Sequence, residues 1–150
     1  MDPDRVLRVK KLREDARLPA YANHRDAGLD LFSCEDVTIP PGSSQLVPTG
    51  IAIELPPGTE GQIRPRSGLA LDKMLTVLNS PGTIDEGFRG EIGVVLLNLG
   101  KDPVCLDAGT RIAQMVVSPV LRVDVREVEV LSETPRGENG FGSTGSGNTL

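Results

Sequence analysis

The chain has 150 residues, a formal net charge of −5 at neutral pH and a pI of about 4.9. This length is typical of one domain, and the acidic balance argues against general binding to nucleic acid, although a few local arginines could still hold an anionic small molecule. Two cysteines far apart in sequence and a single histidine argue against a disulfide framework, a metal-ligand cluster and a Ser-His-Asp triad.

The N-terminal stretch MDPDRVLRVKKLRED carries charges but no apolar segment after them, and no apolar run in the chain approaches the length of a bilayer span. The cysteine usage is that of a reduced chain. The sequence therefore predicts a cytoplasmic protein with neither a membrane nor a nucleic acid as its partner.

Short apolar stretches, each closed by proline or glycine, follow one another along most of the chain, and such stretches predict strands that end in turns. They cover residues 36–42, 46–50, 51–58, 91–100 and 111–120. Only residues 67–74, SGLALDKM, have a helical pattern, with Ser67 as the expected N-cap and Leu71 and Met74 on one face. The predicted fold is all-β: a sandwich, barrel or jelly roll of many short strands with one short helix.

The segment LRVDVREVEV, residues 121–130, alternates apolar and polar residues but changes phase near Arg126 and Glu127. One extra residue at this point would restore the register, which predicts a β-bulge in a strand. The alternative is that two strands, or two surfaces, meet there.

The C-terminal segment is rich in glycine and almost free of apolar residues, apart from Phe141. Such a segment cannot bury enough surface to offset the entropy of ordering it. We therefore predict a β domain over residues 1–134 and a flexible tail over residues 135–150. A frayed terminus is one interpretation; a tail that orders on a bound ligand is the other, and it explains why Arg136 and Phe141 stand among the glycines.

The motif RPRSGLA, residues 64–70, combines a cation, a hydroxyl and a flexible glycine at the expected start of the helix. Arg66, Ser67, Gly68 and the free N–H groups of a helix start would all face one place, which favours an anion site. A capped helix beside a solvated arginine is the alternative.

The stretch NSPGTIDEGFRGEIGVV, residues 79–95, has the turn residues of a hairpin followed by a buried strand. Asp85 lies between an apolar residue and a turn, where an exposed carboxylate could accept a proton or a hydroxyl hydrogen bond. An aspartate that only bonds its own turn is the competing interpretation.

Two polar side chains fall within apolar strand patterns. Gln114 lies in GTRIAQMVV, residues 109–117, and Asp30 lies in AGLDLFS, residues 27–33. A polar group in such a place needs a partner or it costs stability. That partner is either a cross-strand neighbour or a ligand, such as a water or a substrate oxygen.

Five segments, in order and over residues 27–145, resemble the five motifs of the trimeric deoxyuridine triphosphatases, or dUTPases. They are AGLDLFS, RPRSGLA, NSPGTIDEGFRGEIGVV, GTRIAQMVV and RGENGFGSTG. The resemblance implies a jelly-roll-like β-barrel subunit and a homotrimer whose active sites are shared between chains. It also implies hydrolysis of dUTP to dUMP and pyrophosphate with Mg²⁺ as cofactor.

The resemblance also implies a role for each matching residue. Asp85 would hold the sugar 3′-hydroxyl and activate the attacking water, with Gln114 near that water. The phosphates would be bound by Arg66, Ser67, Gly68 and Gln114. Uracil would be read by Asn79, Thr83, Ile84 and the backbone around Gly93. The carboxylate of Asp30 would act on the metal through water.

By the same resemblance, the tail would close over a site on a neighbouring subunit. Arg136 would meet the terminal phosphate, and Phe141, followed by Gly142, would cover the uracil ring. Phe88 stands where the family more often has tyrosine under the deoxyribose. The ring can still exclude a ribose 2′-hydroxyl, so we expect discrimination against UTP to be kept.

Two other functions fit the same scaffold. A dCTP deaminase, or a bifunctional deaminase–triphosphatase, shares the turn but needs a glutamate ten residues beyond the aspartate, where this chain has Val95. A non-catalytic nucleotide-sensing or protein-binding module is the second alternative. The presence of both Asp85 and the tail argues against it.

Overall fold

The computed structural model describes residues 5–141 and residue 143. One short helix, α1 (Ser67–Lys73), accompanies a set of strands. The strands are β1 (Arg8–Lys11), β2 (Leu29–Phe32), β3 (Val37–Ile39), β4 (Ser44–Glu54), β5 (Thr59–Arg64), β6 (Leu75–Val77), β7 (Gly82–Ile84), β8 (Glu91–Asn98), β9 (Val104–Leu106) and β10 (Arg111–Pro119). The prediction of an all-β, jelly-roll-like fold with one short helix is confirmed. Over the described part of the chain, no helix has the length and hydropathy to cross a membrane.

The strands form two four-stranded antiparallel sheets, in the orders β1-β4-β8-β6 and β2-β10-β5-β7, and a small sheet of β3 and β9. One core lies between the sheets. Leu31 and Met115 enter it from the second sheet and Ile92 and Leu96 from the first, each at most 1% exposed. Among the described residues, the pairings leave both large sheets open at their edges, so the barrel is not closed by hydrogen bonds.

Residues 46–50 and 51–58 were expected to be two strands with a turn at Gly50, but β4 is continuous through this point. Gly50 has φ of 69° and sits in an irregularity where the register with β8 shifts between Pro48 and Ala52. Its N–H donates to Glu91 Oε1 at 2.8 Å. The prediction of a turn was wrong because a bulge and a turn both use glycine at positive φ.

The expected hairpin over residues 79–95 is also corrected. β7 pairs with β5 in the second sheet, whereas β8 pairs with β4 and β6 in the first. The chain therefore passes from one sheet to the other across the turn that holds Asp85. This crossing places the motif at the edge between the two sheets.

Helix α1 starts differently from the expectation. Its N-cap is Arg66, not Ser67, and no side chain caps the first turn. Leu71 and Met74, expected on one face of the helix, are 84% and 54% exposed, and the helix residue that packs against the core is Leu69. Met74 ends the helix in the left-handed region with φ of 52°.

The predicted strand and bulge over residues 121–130 are not present in the chain, which has no regular secondary structure there. Val120 still bonds the body of the domain through its N–H to Gly58 O at 2.9 Å. Beyond it, side chains of both phases are open to solvent: Val125 is 94% exposed and Val128 is 59% exposed. The alternating pattern therefore has no partner strand within its own described chain.

Candidate active site

The candidate site is built around strand β10, which runs between β2 and β5. Gln114 stands opposite Asp30 on one side and opposite Arg64 on the other. Directly opposed residues project from the same face of a sheet, so these three polar side chains share one face. The next residue, Met115, stands opposite Leu29 and Ile63 and belongs to the core. The alternation of β10 thus separates a polar outer face from an apolar inner one.

An open recess of about 440 Å³ lies over this polar face. It gathers five of the residues that the sequence singled out. They are Asp30, Arg66, Ser67, Gly68 and Gln114. The start of α1 contributes three of them, and the two strands contribute the other two. The residues of the predicted anion site therefore lie together within one chain.

Asp30 is the most buried charged group of the recess, with its side chain about 10% exposed. Its Oδ1 lies 3.1 Å from Arg66 Nε, and its Oδ2 lies 2.8 Å from Arg111 Nε. Charged hydrogen-bond partners offset the cost of taking a carboxylate out of water. Arg111 was not singled out from the sequence, and neither was Arg64. The signal for Arg111 was a cation at the start of the predicted strand 111–120, and the signal for Arg64 was its place in the motif RPRSGLA.

Gln114 is held in a fixed direction. Its side-chain Nε2 donates to the carbonyl of Pro65 at 2.9 Å. On its other side lies Gly28, where a Cβ atom would come within 2.3 Å of Gln114 Oε1. The prediction that a polar group in this strand needs a partner is correct, and the partner is a backbone carbonyl of the RPRSGLA segment.

Asp85 lies elsewhere on the chain. It is exposed, its carbonyl accepts the N–H of Phe88 at 3.0 Å, and it lines a second recess together with Thr83 and Arg122. The two recesses share no lining residue. They sit at opposite ends of β5, and from Glu60 to Arg64 the strand spans about 13 Å. A single chain therefore does not bring Asp85 and Gln114 together.

The remaining residues expected to read the base line neither recess. The amide nitrogen of Asn79 would be 3.2 Å from a Cβ on Gly82, so the two are packed together. Ile84 packs against the core, and Gly93 is covered by Leu46. The ring of Phe88 is 42% exposed and lies over Gly90.

The described part of the tail makes polar contacts within itself and with Thr134, the last residue of the predicted β domain. Arg136 Nε donates to the carbonyl of Asn139 at 3.0 Å, and the N–H of Gly137 donates to Thr134 Oγ1 at 3.2 Å. The side chain of Phe141 is fully exposed. Gly142, the remaining tail residue expected to bind substrate, lies outside the described residues.

The residues present suit a metal ion that arrives with a ligand better than one held by the protein alone. Each oxygen of Asp30 faces a guanidinium group, and these two positive charges disfavour direct coordination of a cation by the carboxylate. Within residues 5–141 and 143, no cluster of three or more potential metal-ligating side chains is present. Contact through a water, as expected for Asp30, fits this donor set.

An all-β domain with arginine, hydroxyl, glycine and amide groups around one open recess on a sheet face belongs to the jelly-roll-like class, and the chemistry of that recess suits an anion. The family follows from comparison. The dUTPase family model matches residues 14–145, and the chain belongs to that family.

Individual relatives agree with this assignment. The chain is 64% identical over 139 residues to the deoxyuridine 5′-triphosphate nucleotidohydrolase of Gloeothece citriformis (strain PCC 7424), covering 93% of this chain and 96% of the relative. It is similar to a mutant dUTPase of Staphylococcus bacteriophage 80alpha, solved with dUpNHpp. That match has a TM-score of 0.84 and 30% identity, over 93% of this chain and 98% of the other. A mutant dUTPase of phage phi11 of S. aureus, described with a structural Mg(II) ion, matches with a TM-score of 0.79 and 26% identity, over 85% and 99%.

Proposed function

We propose that this chain hydrolyses dUTP to dUMP and pyrophosphate, by Mg²⁺-assisted attack of a water on the α-phosphorus. The observation that carries the proposal is the convergence of Arg66, Ser67, Gly68 and Gln114 on one recess in a member of the dUTPase family. The reaction removes dUTP from the nucleotide pool and supplies dUMP.

The recess is suited to the phosphate end of the substrate. Arg66 uses its Nε toward Asp30, and a guanidinium has further N–H donors on its terminal nitrogens that stay available for phosphate oxygens. The Ser67 hydroxyl adds a neutral donor, and Gly68 has nothing within 4 Å of where a Cβ would be, so a phosphate can approach its backbone. Gln114, fixed by Pro65, would help to orient the water.

Asp85 supplies the base and the sugar contact. Its exposed carboxylate can accept the 3′-hydroxyl of the deoxyribose and take a proton from the attacking water. The oxygen of that water bonds to the α-phosphorus while the bond from phosphorus to the bridging oxygen breaks, which releases pyrophosphate. Uracil would be read by Asn79, Thr83, Ile84 and the backbone at Gly93, where the methyl of thymine and the amino group of cytosine are rejected.

Mg²⁺ is the proposed cofactor. Bound to the phosphate oxygens, it would neutralise the charge that develops on them. Asp30 would hold it through water, because both carboxylate oxygens already face arginines. The structural Mg(II) of the phage phi11 relative supports a divalent cation in this family.

We further propose a homotrimer in which each site takes residues from several chains. Two features support it: Asp85 and Gln114 lie in separate recesses of one chain, and residues 121–131 expose a row of apolar side chains. Those more than 70% exposed are Leu121, Val125, Val130 and Leu131. An exposed apolar run of this kind is suited to a neighbouring subunit. Sedimentation of the full chain should give the mass of three subunits.

The division into a β domain, residues 1–134, and a tail, residues 135–150, belongs to the same proposal. On substrate binding, Arg136 would exchange its contact with Asn139 for the terminal phosphate. Phe141, with Gly142 beside it, would cover the uracil ring. Closure excludes bulk water from a site that must place one water in line.

The protein is proposed to work in the cytoplasm with dUTP and its own copies as partners, and without nucleic acid. Cys34 and Cys105 are free thiols, which suits a reducing compartment. Burial raises the pKa of the Cys34 thiol, so at neutral pH that thiol stays protonated.

The decisive test is pyrophosphate release from dUTP with Mg²⁺ by the wild-type chain and by Asp85→Asn. The variant keeps the size of the side chain but cannot act as a base, so its kcat should fall by about 100-fold or more. Equal rates would remove Asp85 from this role. Ammonium release from dCTP, measured in the same samples, would favour the deaminase alternative that Val95 disfavours.

A further inference from the structure

Arg111 and Arg66 share the carboxylate of Asp30, one on each oxygen. We infer that Arg111 is a positioning residue: it fixes Asp30 so that Arg66 turns its terminal nitrogens toward the triphosphate. The inference rests on the proposed function, because it concerns how the same recess is prepared for its substrate.

An irregularity in β10 brings Arg111 to this carboxylate. Gln114 and Arg111 are three positions apart, so in a regular strand they would project from opposite faces. The register with β2 shifts between Arg111 and Ala113, so that Arg111 stands opposite Phe32 while Gln114 stands opposite Asp30. Phe32 and Asp30 are two positions apart and share a face. The extra residue therefore places Arg111 on the face that carries the recess.

The burial of the two intervening residues agrees with this interpretation. Ile112 and Ala113 are adjacent in sequence, yet they are 1% and 0% exposed and both belong to the core. Two successive core residues are what a bulge produces in a strand that otherwise alternates. The bulge that buries both Ile112 and Ala113 is therefore also what brings Arg111 to Asp30.

Arg111 is also held from behind. Its guanidinium carbon lies 5.8 Å from the centroid of the buried Phe32 ring, a distance at which a cation and an aromatic face attract. Its Nε contact with Asp30, at 2.8 Å, is shorter than the 3.1 Å contact of Arg66. Arg111 therefore contacts both a carboxylate and an aromatic ring, whereas Arg66 lines the recess and is the arginine placed to serve a ligand.

Arg111 acts through Asp30 and not on the ligand directly. Arg66 lines the recess within the described chain, whereas Arg111 does not. Without Arg111, both oxygens of Asp30 would be open to Arg66, and an arginine facing a free carboxylate tends to bind it with two parallel hydrogen bonds. That pairing would turn the terminal nitrogens of Arg66 away from the phosphates.

The experiment measures binding of a non-hydrolysable imido analogue of dUTP, with Mg²⁺, by calorimetry on the full-length protein. Arg111→Gln should weaken binding of the analogue by about tenfold, which is the scale of one charge-assisted contact. It should also raise KM more than it lowers kcat. Arg111→Lys should bind the analogue more tightly than Arg111→Gln but less tightly than wild type, because an ammonium keeps the ion pair with Oδ2 and loses the planar contact with Phe32. Arg17→Gln is the matched control. The guanidinium carbon of Arg17 lies 5.6 Å from the centroid of the same Phe32 ring, but the ion pairs of Asp30 within the described residues are with Arg66 and Arg111, so binding should not change.

A double-mutant cycle separates action through Asp30 from direct contact. In an Asp30→Asn background, Arg111→Gln should cost nothing further. The same tenfold loss in both backgrounds would mean that Arg111 touches the ligand, and would overturn the inference. So would an Arg111→Gln protein that binds as wild type does, or one that no longer folds by circular dichroism. Wild-type protein that neither binds the analogue nor hydrolyses dUTP would overturn the proposed function, and the inference with it.

Discussion

Gly28 and Gln114 fit so closely that a methyl group at residue 28 would lie 2.3 Å from Gln114 Oε1 and 3.1 Å from its Cδ. The far end of a glutamine can rotate away, but here rotation breaks its 2.9 Å hydrogen bond to the Pro65 carbonyl. We therefore expect Gly28→Ala to fold with little loss of stability while kcat/KM for dUTP falls by about tenfold or more.

The control for this prediction is the same substitution in a Gln114→Ala background. If Gly28 acts by leaving room for Gln114, the added methyl should have no further effect on kcat/KM there. A loss of equal size in both backgrounds would show that the glycine serves the site in some other way.

Gly50 offers a stability prediction with a matched control. It has φ of 69°, and a Cβ there would lie 2.9 Å from the Cβ of Ala16, a residue only 1% exposed. Gly42 has nearly the same φ, 67°, with nothing within 4 Å. Gly42→Ala should cost about 1 kcal/mol from backbone strain alone, and Gly50→Ala about 3 kcal/mol because a buried clash is added. Urea unfolding of both variants measures the difference, and equal costs would contradict it.

Phe88 is expected to exclude the ribose 2′-hydroxyl by its ring and not by a phenolic hydrogen bond. The wild-type chain should therefore prefer dUTP to UTP by a large factor in kcat/KM, and Phe88→Tyr should keep that preference. Phe88→Ala, which removes the ring lying over Gly90, should narrow it by about tenfold. Comparable turnover of UTP and dUTP by the wild type would count against this role.

Removal of the tail should separate catalysis from folding. A chain ending at Thr134 loses residues whose described side-chain hydrogen bonds lie within the tail and to Thr134. It should keep the melting temperature and the assembly of the full chain but lose most turnover, by about 100-fold. A chain ending at Gly147, which keeps Arg136 and Phe141, should stay active. Full activity of the chain ending at Thr134 would show that the tail has no part in the mechanism.

Sequence patterns located the recess because its residues sit where local rules are strong. Gln114 and Asp30 interrupt apolar strands that could be recognised from their alternation, and the sheet then places them opposite each other. The RPRSGLA segment was recognised from proline, glycine and a short helical pattern. What the patterns could not supply was the distance between Asp85 and Gln114, because sequence order does not reveal which end of a strand a turn faces.

The strands and the site residue that the sequence did not predict have equally specific causes. β5 contains only one large apolar residue, Ile63, so its sequence has no alternating pattern that would predict a strand. It is stabilised by pairing with β10 and β7 on its two sides. β1, RVKK, is an edge strand of mostly charged residues. Arg111 was overlooked because a count along a regular strand assigns it to the wrong face, and only the irregularity before Ala113 corrects that count.

The segment 121–130 was misread for the opposite reason. Its alternation is typical of a strand, yet it has no partner within the described chain and stays exposed on both phases. An alternating pattern can reflect contact with another surface, but it does not show whether that surface belongs to the same chain. The change of phase near Arg126 is therefore no evidence of a bulge.

The placement of Arg66 and Asp85 at opposite ends of β5 also governs how genetic lesions would combine. Suppose that each pocket takes its guanidinium from one polypeptide and its carboxylate from the next. In an oligomer that mixes the two mutant subunits, each substitution then removes only one of these two groups, and only from the pockets to which the mutant subunit contributes it. Two alleles, each dead alone, would then rescue one another when expressed in the same cell, since some pockets would inherit every intact part. An enzyme of the same chemistry confined to a single polypeptide could show no such rescue.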